Sequence, residues 1–283
     1  MSKEVATIGE IFSSSWEDYK ERALPILAVV LISTVILGGL VMVLALCAGF
    51  GGALLAHVKA DQSWTFILIA LSCVLLLVIT VLALWCQTAM LAIVVDEDLG
   101  IIEAFQRGWE YLWPMAWVLT IFSGIIVTGL ILGILPSILC FVWFSFSFYI
   151  LIEEDKRGMD SILASMEYVR GNWWNTFGKL FIIWFLYTLT GIVPFVGPLI
   201  SFLFYPFLML FTVAVYRDLR SIKGEAELLI SSGTRLIWWG ITVIGLIVPL
   251  IALIAALIAL ITGENSWMDS TRQSMHGMHG MDI

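Results

Sequence analysis

The sequence predicts an all-α integral membrane protein with about seven transmembrane helices. It would be built as three repeats of an interfacial amphipathic helix plus a helical hairpin, with one extra C-terminal span. Three observations predict it. Of 283 residues, 61% are apolar and 13% charged, and the mean hydropathy is +1.02. A soluble domain is about a quarter charged, so too little polar surface remains here to cover a body in water. Seven apolar runs approach the roughly 20 residues needed to cross about 30 Å of hydrocarbon. A pattern of acids and aromatics also precedes the runs more than once.

The runs span residues 25–50, 64–95, 114–135, 137–152, 176–193, 199–216 and 236–261. The fourth is short for a crossing. Lys179 is the one charge inside a run, and it is expected to snorkel to the interface. Leu135-Pro136-Ser137 and the stretch 194–198 (PFVGP) are uncharged and proline-bearing, which marks them as hairpin turns. All fourteen Lys and Arg except Lys59 and Arg272 fall on one side of the seven-span arrangement. This excess predicts a membrane protein with its N-terminus cytoplasmic and its C-terminus outside. The first residues lack an apolar h-region, so no cleavable signal peptide is expected.

Residues 8–19 (IGEIFSSSWEDY) align without a gap on 101–112 (IIEAFQRGWEYL). Phe12 and Trp16 meet Phe105 and Trp109, Trp113 extends the second arc, and acids lie opposite. This spacing predicts amphipathic helices lying at the membrane interface, with Phe12, Trp16, Phe105, Trp109 and Trp113 facing lipid or bundle. The chain then elbows inward at Pro25 or Pro114. A third copy follows if 94–105 is aligned on 151–163, with Ile162, Leu163, Met166 and Val169 as its apolar face. The resulting organisation is a repeated membrane domain over 1–224, in units of about 5–95, 96–154 and 155–224. A linker with the extra span follows at 225–262, then a Met/His tail at 263–283.

Two further stretches, 165–181 and 206–224, carry Ser165, Gly171 and Trp174, and then Pro206, Tyr216, Asp218 and Leu219. With the helix–hairpin units, these make the chain resemble the glycerophosphoryl diester phosphodiesterase membrane-domain family and related uncharacterised bacterial polytopic proteins, over about residues 5–224. The resemblance implies a multi-pass protein of the bacterial inner (cytoplasmic) membrane without the soluble catalytic domain, and it implies no catalytic residues.

The candidate chemistry is sparse. The four cysteines, Cys47, Cys73, Cys86 and Cys140, form no CxxC and read as small apolar residues. The spans hold Gln87 and scattered hydroxyls such as Thr80, Thr128, Ser145 and Thr188, expected to bond back to their own helices. Ion or proton transport needs ionisable groups at mid-membrane, so it is not expected. Gly129/Gly133, Ala45/Gly49, Ala252/Ala256 and Ala255/Ala259 have the spacing of close helix contacts, and the alanine face of the last span is free to serve another chain. The acid runs 96–98 and 153–155 are expected to be solvated. In the tail, Met275, His276, Met278, His279 and Met281 are soft and imidazole donors that suit copper; no other cofactor is expected. A net charge of −8 argues against nucleic acid. The expected function is non-catalytic: an accessory or scaffold subunit packing against a larger membrane complex or itself, in the lipid bilayer. The alternatives are a translocator or chaperone of lipid or another apolar molecule, and a copper-related factor acting through the tail.

Overall fold

The computed structural model describes residues 6–57, 62–192, 196–224 and 232–279. Among these the chain is helical throughout, in the order α1 (Ile8–His57), α2 (Gln62–Val95), α3 (Ile101–Glu110), α4 (Leu112–Leu132), α5 (Ile134–Phe144), α6 (Ser147–Glu153), α7 (Met159–Val169), α8 (Trp173–Thr190), α9 (Gly197–Lys223) and α10 (Ser232–His279). Among the described residues six stretches are long and apolar enough to cross a membrane. The protein is an all-α, multi-pass membrane protein. The expected fifth span corresponds to α8, whose 18 residues include Asn175 and Lys179 and which is not among the six. The chain divides into two compact units, Met1–Ile121 with Phe141–Ser231, and Phe122–Cys140 with Ser232–Ile283.

In the first unit α1 packs along α2 and α9, α2 along α3, and α8 along α9. The helix starts at Ile8 and Ile101 match in detail. Before each, a backbone N–H donates to an acid three residues on: Thr7 to Glu10 Oε2 at 2.8 Å and Gly100 to Glu103 Oε2 at 3.0 Å. This satisfies a donor that the helix start leaves orphaned. One turn later small or apolar residues are buried at aligned positions, Ile11 and Ser15 in α1, Ala104 and Gly108 in α3. A Cβ on Gly108 would stand 2.9 Å from the backbone nitrogen of Ala89, so glycine sets how closely α3 approaches α2.

Several expected boundaries move. Pro25 does not break α1, which runs on for 50 residues, about 75 Å at 1.5 Å per residue and far beyond a bilayer core. The second elbow lies at Tyr111, while Pro114 sits in the first turn of α4, where a missing N–H has no partner to lose. The first hairpin turns at Gly133 (φ +133°), not at Pro136, because glycine alone adopts that backbone freely. Residues 193–195 of the other expected turn lie outside the described residues; Pro198 opens α9.

The fourth span is split. The break between α5 and α6 falls at Ser145 and Phe146, yet the two helices together make a 20-residue span. Ser165 of α7 fills the break: its hydroxyl donates to the Trp143 carbonyl at 2.7 Å and accepts from the Phe146 N–H at 3.1 Å. That contact ties α7 into the bundle, so the apolar face of the third copy meets protein rather than lipid. Eight of its eleven residues are buried, among them Ile162, Leu163, Ser165 and Val169. Lys179 does not snorkel either. Its side chain is 2% exposed and paired with Asp218.

In the second unit α10 runs 48 residues, through the expected tail as far as His279. Its contact with the 122–132 part of α4 is glycine-dependent. A Cβ on Gly245 would lie 1.8 Å from the Gly124 carbonyl oxygen, and one on Gly124 would lie 2.8 Å from that of Thr242. Thr128 donates to the Ile241 carbonyl across the contact at 2.7 Å. The spacing-based pairs serve differently. Gly129 packs on Ser137 within the hairpin, Gly49 has nothing within 4 Å, and Ala252, Ala255, Ala256 and Ala259 are exposed.

Gly245→Val should therefore destabilise the second unit by about 1–3 kcal/mol or more through overpacking. Gly240→Ala, on the same helix with nothing within 4 Å, should be neutral or stabilise by up to about 1 kcal/mol. Thermal unfolding in mild detergent followed by circular dichroism measures both.

Candidate functional site

The charged residues of the first unit converge where α2, α6 and α9 end. The last turn of a helix leaves carbonyls without intrahelical donors, and in α2 arginines from two other helices supply them. Arg22 of α1 donates to the carbonyls of Ile93 and Asp96. Arg217 of α9 donates to that of Val95 at 2.6 Å. A cation at a helix C-terminus also meets the negative end of the helix dipole. Arg217 further bonds Glu97 at 2.9 Å and Glu153 at 3.4 Å, and Arg220 bonds Glu153 at 3.0 Å.

Glu154 is the inner member of this network, with its side chain 5% exposed. It accepts from Tyr168 at 2.8 Å and from Tyr216, and pairs with Lys156 at 2.6 Å. Burial pushes its carboxyl up, but the Lys156 ammonium and the two phenols outweigh burial, and it lies below the ordinary glutamate value. The acid runs are partly bound into the structure and partly solvated: Asp96 pairs with Arg107 at 2.6 Å, while Glu97, Asp98 and Asp155 are exposed, Asp155 in a pair with Arg157 at 3.1 Å. Asp218 holds Lys179 of α8 at 3.2 Å and accepts the Ala6 N–H at 3.1 Å, joining α8 and α9 to the residue just before α1. Between α1, α9 and the end of α2 a crevice of about 510 Å³ is walled by Ile11, Val94 and Leu210 and rimmed by Asp18, Arg22 and Arg217.

The sequence-predicted interface residues form two separate groups. Phe12 and Trp16 flank Phe207 of α9 with ring centroids at 5.0 and 5.7 Å. Phe105 and Trp109 flank Trp85 of α2 at 5.3 and 6.2 Å, and the Trp85 indole donates to the Phe105 carbonyl. Each pair grips one aromatic of a neighbouring helix, yet Phe12, Trp16 and Trp109 keep exposed surface, and Trp113 is 77% exposed. The backbone at Met275, His276, Met278 and His279 is helical; Met281 lies outside the described residues.

Three residues singled out in the sequence make contacts between elements: Ser165 bridges the broken span, Tyr216 binds Glu154, and Asp218 binds Lys179. Thr80, Thr128, Ser145 and Thr188 bond back to their own helices as expected. Gln87 does not. It accepts from Tyr205 of α9 at 3.3 Å and lines a second cavity of about 350 Å³ between α1, α2, α8 and α9, together with Ser33, Thr34, Tyr187, Ser201 and Tyr205. Sequence reasoning singled out Gln87 but missed Ser33 and Tyr205, which carry no spacing signal.

Lys179→Met should cost about 3–5 kcal/mol by leaving Asp218 unpaired, and Lys179→Met with Asp218→Leu should recover much of it. Removing the exposed Arg157–Asp155 pair should cost no more than about 1 kcal/mol. Because the folded carboxyl of Glu154 lies below its unfolded value, its contribution is fully present above about pH 4.3 and is lost as pH falls through and below that value. Chemical unfolding between pH 7 and pH 3.5 should show this loss, and Glu154→Gln should flatten it.

No family model, no curated protein and no solved structure matches this chain.

Proposed function

We propose that this chain is a non-catalytic accessory or scaffold subunit of the bacterial inner membrane, packing in the bilayer beside another membrane helix, its own or a partner's. The observation that carries this reading is α10. One side is locked on Gly124 and Thr128, while Ala252, Ala255 and Ala256 are exposed. Small residues at four-residue spacing let helix backbones approach closely where no hydrophobic effect drives association. The ion-paired helix ends of the first unit suit the same role, since they hold its helices at fixed depth. The copper-related reading stays with the tail donors and has no further support.

A second reading, a carrier or chaperone of an apolar molecule, is favoured by the cavity lined by Ser33, Gln87 and Tyr205.

In native electrophoresis from mild detergent, the 31.6 kDa chain should migrate in a larger assembly. Ala252→Leu with Ala256→Leu should release it as a folded monomer. A monomer from the unaltered protein overturns the subunit reading.

A further inference from the structure

The cavity lies at mid-span. Ser33 is eleven residues beyond Arg22, Gln87 nine before Asp96, and Tyr205 twelve before Arg217. At 1.5 Å per residue these groups stand about 14–18 Å from the charged helix ends, near the centre of a core about 30 Å thick. Polar groups at that depth are costly unless partnered. Ser33 is nonetheless 8% exposed, and its hydroxyl finds among the described residues no partner better than the Cys86 thiol, a weak hydrogen-bonding group. Tyr205 uses the Gln87 carbonyl oxygen, which leaves the amide N–H groups of Gln87 to the cavity. Pro206 follows directly in α9 and cannot supply the N–H that the Phe202 carbonyl would otherwise take.

We propose that this cavity binds a neutral, carbonyl-bearing apolar molecule, an acyl ester or a quinone, whose carbonyl oxygen accepts from Ser33 and Gln87. Among the described residues the walls carry no Lys or Arg, so a carboxylate or phosphate would enter without compensation for its lost hydration. A carbonyl needs donors alone, and the Ser33 hydroxyl and the Gln87 amide can supply them. A volume of about 350 Å³ is at the lower end for ligand pockets. It holds the carbonyl-bearing portion, with the chains running out among the helices. This inference rests on the second reading above and is independent of the subunit reading.

The test is equilibrium binding of radiolabelled dioleoylglycerol and, separately, decylubiquinone to the full chain in phosphatidylcholine nanodiscs. One of the two should saturate at one per chain, which identifies the source of the carbonyl. Ser33→Val and Gln87→Leu should each weaken binding about tenfold, the loss of one to two hydrogen bonds. Ala83→Phe, which fills the cavity, should abolish it, and Thr188→Val, exposed and bonded to its own helix, should leave it unchanged. Melting temperatures within a few degrees of the unaltered protein establish that the variants fold. Absence of saturation by either ligand overturns the proposal, as does saturation that none of the three cavity variants alters. A water-filled cavity would show as no binding together with a higher melting temperature for Ser33→Val. The isolated chain suffices, so failure here leaves the subunit reading standing, and a monomeric chain leaves this one standing.

Discussion

The carbonyls at the end of α2 must find donors, and this requirement organises the first unit. A soluble helix ends in water, which satisfies its last carbonyls. Here the end of α2 is packed between α1 and α9, so Arg22 and Arg217 reach in from those two helices instead. Each guanidinium carries several donors in a fixed fork, which lets Arg217 hold the Val95 carbonyl and still bind Glu97 and Glu153. One side chain thereby sets the relative height of α2, α6 and α9. Arg220, Glu154, Tyr168 and Tyr216 extend the same set of contacts, so the acids on these helix ends are partners, not excess charge.

Below that layer the chemistry changes within a few turns. Ile26, Val29 and Phe207 are buried between the crevice rimmed by Asp18 and Arg22 and the uncharged cavity holding Ser33 and Gln87. Charge is confined to where water or a counter-charge can meet it. At mid-span the polar groups are hydroxyls and an amide, whose desolvation is far less costly than that of an ion.

Much of this was legible in the sequence. Hydropathy located six of its seven expected spans among the described residues, and the ungapped match of 8–19 on 101–112 located two helix starts that share an acid cap and a gripped aromatic. Other features were hidden because they depend on residues distant in the chain. Lys179 looked like a snorkelling residue because Asp218, its partner, is thirty-nine positions away. The acids at 153–155 looked solvated because Arg217 and Arg220 lie on another helix. Pro25 suggested an elbow, but a proline costs a membrane helix one hydrogen bond and need not stop it. Gly124 and Gly245 belong to no small-residue motif within one helix. They matter because two helices meet there. The cavity was the least legible feature, since Gln87, Ser33 and Tyr205 come from three separate helices.

The interruption between α5 and α6 bears on how the chain is made. An open N–H at Phe146 and an open carbonyl at Trp143 would have no remedy in an oily surrounding, and the hydroxyl that relieves them belongs to Ser165, which leaves the ribosome about twenty residues afterwards. Until that serine arrives, this stretch has every reason to remain beside the translocation machinery or in water. Final seating of the span is thus coupled to synthesis of a downstream segment. The order of translation becomes an ingredient of the topology.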